Sequence, residues 1–209
     1  MLRYFKIMHP DENFKKNLDL CCGTGTLCNF FMENGIESKG VDLSEGMLEV
    51  ALKHYPDIEF VHCNIIDYND EEKYDFITST DDAINHITDI DDLKKAFENA
   101  NTLLRKDGLL IFDINNFNQF NFGRKEKFSG DSNKLVYSRS KEGKFVKYTV
   151  KYYENDELLW VDEVNERDYS VDEIINLLND VGFVLEVCAQ YFFDETRMVK
   201  FNFVARKIN

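Results

Sequence analysis

The sequence predicts an α/β fold in which a doubly wound, mostly parallel sheet carries an inserted antiparallel meander. Short apolar runs alternate with helical patterns over the first 115 residues, and strands that alternate with helices in this way pair in parallel. After about residue 130, apolar side chains recur at every second position. This spacing is typical of antiparallel strands with one face more exposed to solvent than the other. A helical pattern returns at residue 170, and two long strands follow it.

The elements of the first half follow from their apolar spacing and their end signals. Ser44 is placed to accept a hydrogen bond from the first turn of its helix, and Asp107 with Gly108 turns the chain into a buried strand. The last helix of this half has apolar residues at three- and four-residue spacing, which indicates one buried face. The predicted strands are 16–20, 39–43, 58–63, 74–79 and 109–114, and the predicted helices are 24–34, 44–55 and 91–104.

The second half divides into a meander, a helix and a hairpin. Residues 144–153 alternate apolar with polar side chains, and the runs 133–140 and 157–164 flank them, so we predict three antiparallel strands. Ser170 and Glu173 form a capping box that starts a further helix. The remaining predicted elements are that helix over 170–182 and a hairpin of strands 183–193 and 198–207, turning at 194–196.

Charge and composition limit the classes of partner. The 209 residues are 44% hydrophobic and carry a net charge of −14, so the chain can build a core but lacks the basic face that binds nucleic acid or an anionic membrane. A small molecule is the expected partner. No segment is typical of a signal peptide or a membrane span, and the five cysteines, an odd number, are expected to be free thiols in a reducing cytoplasm. Their spacing does not fit a zinc site, so we expect no metal.

The stretch LDLCCGTGTLCNFF at residues 18–31 lies at the first strand-to-helix turn. Gly23 and Gly25 can adopt positive φ and let a ligand approach the backbone closely. Asp42 ends the second strand, seventeen positions after Gly25, where a carboxylate can accept hydrogen bonds from ribose hydroxyls. The alternative is a tight turn with an incidental acid, but the two features together favour a nucleoside site.

The loop does not match the common phosphate-binding motifs. Cys28 stands at the third glycine of the dinucleotide fingerprint, and the loop has no Gly-Lys-Ser/Thr. Asp19, just before the loop, would repel a pyrophosphate but would attract an ammonium or sulfonium group.

LDLCCGTG at 18–25 and VDLS at 41–44 resemble the first two motifs of class I S-adenosylmethionine-dependent methyltransferases. The resemblance implies a seven-stranded Rossmann-like methyltransferase fold and S-adenosyl-L-methionine as cofactor. It implies that Asp42 binds ribose and that Met47 packs on adenine. Asn64 stands where the family often has an acid that reads the adenine amino group. The cofactor-binding residues implied in this way are Asp19, Cys21, Gly23, Thr24, Gly25, Asp42, Leu43, Met47, Asn64, Ile65 and Thr80.

The meander resembles the insertion of small-molecule branches such as the glycine/sarcosine and amino-sugar N-methyltransferases. This implies methyl transfer to a nitrogen or oxygen of a small-molecule acceptor. We therefore predict a cofactor-binding core of residues 1–130 and 165–209 and an inserted meander of residues 131–164 near the acceptor. Cys21 stands where the family usually has glycine or alanine. Only about 17 residues precede the first strand, where the family usually has a longer helical segment over the cofactor. This short segment predicts a more open site, a lid from another part of the chain, or a lower affinity for the cofactor.

The candidates for acceptor chemistry follow the fourth and fifth strands. His86 is the candidate base because its ordinary pKa is near neutrality, although a single histidine after a loop can equally be only solvated. Aromatic residues of the meander are candidates for a pocket, or for packing on the core. The further candidates are Asp81, Asp82, Asn85, Asp113, Asn115, Asn116, Tyr148, Tyr152, Trp160, Arg167 and Tyr169.

Two other functions stay open at this point. A nicotinamide-dependent oxidoreductase is disfavoured by Cys28 and Asp19. A non-catalytic cofactor-binding partner subunit is compatible with the short segment before the first strand. The sequence does not predict the oligomeric state.

Overall fold

The structure, a computed structural model, describes residues 13–120, 122, 126–129, 133–194 and 197–208, and for 126–129 and 191–199 it describes the backbone alone. These residues form two sheets flanked by four α-helices. Strands β1 to β11 are Lys16–Leu20, Glu37–Asp42, Glu59–His62, Tyr74–Ser79, Leu104–Asn115, Glu126–Ser129, Asn133–Glu142, Phe145–Glu154, Glu157–Arg167, Phe183–Asp194 and Arg197–Lys207. Helices α1 to α4 are Thr26–Glu33, Glu45–His54, Ile90–Leu103 and Val171–Asp180.

The larger sheet has seven strands in the order β10-β11-β5-β4-β1-β2-β3. Strands β1 to β5 pair in parallel, and β11 runs antiparallel to both β5 and β10. The chain moves outward from β1 to β3 and then returns to place β4 on the other side of β1. Strand order therefore reverses between β1 and β4, and ligands of such sheets bind outside the carboxyl ends of the strands at this point.

Helix α3 shows how the sequence pattern builds the core. Its five buried residues recur at three- and four-residue spacing and face the sheet, where Phe97 meets Phe112 of β5 with ring centroids 5.3 Å apart. Phe112 in turn stacks on Phe203 of β11 at 4.9 Å. The helix thus holds the end of β5 in place, and with it the polar residues that follow. The five residues are Leu93, Ala96, Phe97, Ala100 and Leu103.

The predicted α/β class, seven-stranded sheet and antiparallel insertion are confirmed. The predicted three strands of the meander are wrong in number, because β6 adds a fourth and gives the order β6-β7-β8-β9. Strand β6 has only four residues, with charge at two of them, so it shows too little alternation to be recognised. Strand β9 continues to Arg167, three residues past its predicted end. The division into two domains remains a prediction.

Most predicted ends agree within one or two residues. The larger difference is at β5, which begins at Leu104 and contains the predicted turn, with Asp107 at φ 62°. The antiparallel pairing of β10 and β11 is confirmed, and residues 195 and 196 of their predicted turn lie outside the described residues. Among the helices that the structure describes, none has both the length and the apolar composition needed to cross a membrane.

Replacing Ser170 by Ala should lower the free energy of unfolding by about 1 kcal/mol. The Ser170 hydroxyl accepts from the Glu173 amide at 3.2 Å, and Glu173 Oε2 accepts from the Ser170 amide at 3.1 Å, so the variant loses half of a reciprocal cap. Urea unfolding followed by circular dichroism measures the difference. Ser140→Ala, at an exposed position of β7, is the control, and an equal loss in both variants would contradict the role of the cap.

Candidate active site

The turn between β1 and α1 is built on three residues in the left-handed region. Cys21, Gly23 and Gly25 have φ of 60°, 56° and 76°. A Cβ on Gly25 would lie 2.5 Å from the Phe60 ring, so this glycine is needed for packing against β3. A Cβ on Gly23 would meet nothing within 4 Å, which leaves open space over the loop. The two glycines therefore differ: Gly25 is needed for packing against Phe60, and Gly23 borders open space.

Asp42 joins this loop to the next crossover. Its Oδ2 accepts from the Gly23 amide and its Oδ1 accepts from the Ser44 amide, both at 2.8 Å. Each carboxylate oxygen can accept a further hydrogen bond, and the side chain is only half-buried. Leu43 and Met47 beside it are 64% and 48% exposed. An acid flanked by uncovered apolar side chains suits a sugar with an attached base.

Asp19 lies beneath the loop and is almost fully enclosed. Its Oδ1 accepts from the Thr78 hydroxyl at 2.6 Å, and the Cys28 thiol points at Oδ2 from 3.8 Å. Burial raises the pKa of Asp19 from 3.8 to about 7, partly offset by the Thr78 hydrogen bond. A carboxylate buried without a cation is costly, so this one would be stabilised by a positively charged ligand group above it.

The other predicted cofactor residues surround the same edge of the sheet, with different exposure. Burial raises the pKa of the Cys21 thiol to about 12, so Cys21 is a neutral packing group. Thr24 and Thr80 are half-buried. The side-chain oxygen of Asn64, Oδ1, accepts a hydrogen bond from the Ile66 backbone amide at 3.2 Å and so already closes a turn. The side chain of Ile65 is in the core, which leaves only its backbone to face a ligand.

A second polar group lies farther along the edge, where β4, β5 and β11 meet. Lys200 of β11 donates to Asp81 and Asp82 at 2.8 Å each, and it lies 3.2 Å from Asp113. The Asp113 carboxylate also accepts from the backbone amides of Asp81 and Asp82. Both of these aspartates have positive φ, a strained conformation that the hydrogen bonds to Asp113 hold in place. Asp81 and Asp113 thus both form ion pairs with Lys200.

Glu166, near the end of β9, brings the smaller sheet into this group. The side-chain amide of Asn115 donates one hydrogen bond to Glu166 Oε2 at 2.9 Å and another to Asp82 Oδ2 at 3.1 Å. Glu166 is 4% exposed, and burial raises its pKa from 4.5 to about 7. The sequence prediction missed this residue, because its burial follows from pairing with Val146 on the apolar face of the meander, which no local pattern reports.

His86 lies in the short 3-10 turn Ala83–His86 and is exposed. One of its ring nitrogens and carboxylate oxygens of Asp82 and Glu166 lie within 4.8 Å of one another. These are residue types that can bind a metal ion, but Asp82 already pairs with the ammonium of Lys200. The structure therefore brings the predicted base next to two acids.

The aromatic candidates divide between two places. Tyr152 and Trp160 stack on each other with centroids 5.7 Å apart, and Trp160 is 46% exposed, so this pair packs on itself. Tyr148 lies nearer the acids, and the guanidinium of Arg139 lies over its ring at 5.4 Å. Tyr148 is the meander aromatic that faces the polar group.

Arg167, Asn85 and Tyr169 fasten the end of β9 to the core. The Arg167 carbonyl accepts from the Asn85 side chain at 2.8 Å, and the Arg167 guanidinium donates to the Thr88 carbonyl at 3.2 Å. The Tyr169 hydroxyl donates to the Ile87 carbonyl. Through these contacts the three candidates hold the end of β9, and with it Glu166, against the core.

Comparisons with known proteins agree with this geometry. Residues 18–108 match the family described as Methyltransferase domain. A protein of Geobacillus sp. (strain WCH70), provisionally named a methyltransferase, is 28% identical over 199 residues, which cover 86% of this chain and 78% of that protein.

Two solved structures share the fold over almost the whole chain. An S-adenosylmethionine-dependent methyltransferase from Clostridium acetobutylicum ATCC 824 has a TM-score of 0.86 at 22% identity, covering 99% of this chain and 89% of that one. CalS10, an amino pentose methyltransferase from Micromonospora echinaspora solved with S-adenosylmethionine bound, has a TM-score of 0.80 at 15% identity, covering 98% and 87%. The predicted oxidoreductase and partner-subunit alternatives find no support in these matches. Residues 18–108 therefore match a methyltransferase domain, and the chain as a whole shares the fold of solved S-adenosylmethionine-dependent methyltransferases.

Proposed function

We propose that this chain transfers a methyl group from S-adenosylmethionine to a nitrogen or oxygen atom of a small-molecule acceptor. The observation that carries the proposal is the arrangement of Asp42, Gly23 and Asp19 along neighbouring strands of one sheet edge. Asp42 ends β2, Gly23 follows β1, and Asp19 lies beneath them, next to Thr78 of β4.

Each end of the cofactor has a matching group at this edge. Asp42 can accept from the ribose hydroxyls, and the exposed side chains of Leu43 and Met47 can cover the adenine ring. Asp19 is positioned to stabilise the amino-acid end, which carries an ammonium group. Thr24, Gly25, Cys21, Asn64, Ile65 and Thr80 complete the proposed lining of the site.

When bound, S-adenosylmethionine supplies a methyl group whose bond to sulfur is weakened by the positive charge on the sulfur. The chain contributes mainly alignment, which can lower a barrier by roughly 7–11 kcal/mol in well-oriented systems. The acceptor would lie beyond Thr80, where the ends of β4 and β5 meet the smaller sheet. His86, exposed at this place, can pass a proton to solvent.

A compact acceptor is supported by the second sheet and by the charge. Strand β9 brings Glu166 against the core, so the smaller sheet closes one side of the acceptor end. The net charge of −14 disfavours nucleic acid and anionic membranes as partners. The structural relative CalS10 acts on an amino pentose, which is a small molecule of this size class.

The five cysteines are free, as expected for a protein working in the cytoplasm.

Binding of S-adenosylhomocysteine tests the proposal directly. At 100 times its dissociation constant it should add about 2.7 kcal/mol to the free energy of unfolding, which calorimetry and thermal unfolding measure together. Asp42→Ala should weaken binding about 10- to 100-fold because the ribose hydroxyls lose a charged acceptor. Glu49→Ala, at an exposed position of α2, is the control. Stabilisation by NADH in place of S-adenosylhomocysteine would overturn the proposal.

Gly23→Ala should weaken S-adenosylhomocysteine binding by at least about tenfold, because its methyl group fills the space above the loop. Gly35→Ala is the matched control, because Gly35 also has a positive φ of 76° and a Cβ added there would also meet nothing within 4 Å. Both variants should lose about 1 kcal/mol of stability from the left-handed backbone. Equal dissociation constants for the two variants, measured by calorimetry, would argue against a ligand over Gly23.

The ligand-free protein should lose stability as pH rises from about 4 to 7. The folded-state pKa of Asp19 is raised from 3.8 to about 7, so its contribution is fully present below about pH 4, falls as the unfolded chain ionises first, and is lost once pH passes the folded-state pKa near 7. Urea unfolding at several pH values should show this slope in the natural chain and a flatter profile in Asp19→Asn. A steep profile that survives the substitution would assign the slope to another group.

A further inference from the structure

Glu166 is a buried acid that the inserted sheet presents to the core. Its place is fixed from two sides, by the Asn115 amide at 2.9 Å and by the hydrogen bond from Asn85 to the Arg167 carbonyl at 2.8 Å. Its other oxygen, Oε1, has no hydrogen bond or ion pair within the part of the chain that the structure describes. Because Oε1 is not among the buried side-chain atoms without a partner, it still reaches solvent and can accept a hydrogen bond from a ligand, although the residue is only 4% exposed.

Asp82 and His86 lie beside the Glu166 carboxylate. Ligand atoms of the three side chains lie within 4.8 Å of one another, so a single small group can contact all of them. Asn115 donates one hydrogen bond to each acid and thereby holds the two carboxylates apart. Carboxylate oxygens and a histidine nitrogen form a pocket of acceptors, which suits a group with several N–H donors.

Charged groups reach Glu166 from every element that packs around it. Strand β11 contributes Lys200 and β7 contributes Arg139, which both favour its ionised form, whereas Asp82 opposes it. His86 and Tyr148 of β8 are further titratable neighbours, and the pKa of Tyr148 is raised by burial and by Glu166. Lys200 is already shared among three aspartates, so it does not fully neutralise a fourth acid.

A cleft near this group shares Asn115 with it. The cleft has a volume of about 340 Å³ and opens between the end of β5 and the start of α4, and Glu166, Asp82 and His86 do not line it. Asn116 and Tyr169 line it, so its wall offers both hydrogen-bonding and apolar surface. The volume is at the lower end of the range for small-molecule sites, about 300–1,000 Å³.

We propose that Glu166, with Asp82 and His86 beside it, binds the amino group of the methyl acceptor and takes its proton, so that the acceptor is an amine. This inference rests on the proposed function and narrows it to nitrogen. A protonated amine supplies both the N–H donors and the positive charge that Glu166 lacks. A hydroxyl supplies one donor and no charge, so it would leave the buried carboxylate uncompensated.

The proton and electron pairs balance. The acceptor ammonium gives a proton to Glu166 Oε1, and its nitrogen regains a lone pair. That lone pair forms the bond to the methyl carbon while the bond from this carbon to sulfur breaks, and the electrons of the broken bond pass to the sulfur. The methylated nitrogen is then positively charged, and Glu166 releases its proton to solvent past the exposed His86.

Carbon-13 resonances of Glu side chains test the inference with methylammonium as the probe. The Glu166 signal is identified by its loss in Glu166→Gln and is titrated with pH. Methylammonium at ten times its dissociation constant should lower the midpoint by about one pH unit, because it binds only the ionised carboxylate. Methanol at the same concentration and sodium chloride at the same ionic strength should leave the midpoint unchanged.

Variants separate this role from a structural one. Glu166→Gln should weaken methylammonium binding about 10- to 100-fold and keep the affinity for S-adenosylhomocysteine, whereas Glu163→Gln, on the exposed part of β9, should change neither. A midpoint unmoved by methylammonium, or moved equally by methanol or by magnesium chloride, would overturn the inference while S-adenosylhomocysteine still binds. Failure of the natural chain to bind S-adenosylhomocysteine would instead contradict the proposed function.

Discussion

The hydrogen bonds of the Asp42 carboxylate are the interaction on which the cofactor end depends. One oxygen holds the Gly23 amide and the other holds the Ser44 amide, so a single side chain joins the first glycine turn to the start of α2. Parallel strands alone would place these two turns next to each other, but not in a fixed orientation. The same carboxylate that shapes the site is therefore available to bind ribose, and little rearrangement is needed when a ligand arrives.

The acceptor end is built differently, from residues that are far apart in the sequence. Lys200, Asp82, Asn115 and Glu166 come from four elements and meet at the end of β5. The inserted sheet takes part in this network through Glu166 as well as covering the core. Because Asn115 contacts acids from both sides, a displacement of the smaller sheet would change the hydrogen bonding of the larger one. The hydrogen bonds of this polar group and the placement of the smaller sheet are thus physically linked.

Local patterns were enough to predict the fold class, the parallel pairing of the first strands and the glycine turn. Asp19, Gly23 and Asp42 could be proposed for the cofactor site because each stands at a defined position relative to a strand end. Glu166 and Lys200 could not, because their function depends on pairing between distant strands, which no local pattern reports. Strand β6 was missed for a related reason, since four residues with two charges do not show a period. Gly25 was assigned to ligand approach, whereas contact with Phe60 shows that packing requires it.

The position of Lys200 in β11 has a consequence for biosynthesis. The glycine turn and its Asp42 link lie within the first 45 residues and can form early on a growing chain. The three aspartates near the end of β4 and β5 remain without their shared ammonium until residue 200 has left the ribosome. Until then, mutual repulsion of these acids opposes closure of that corner of the sheet.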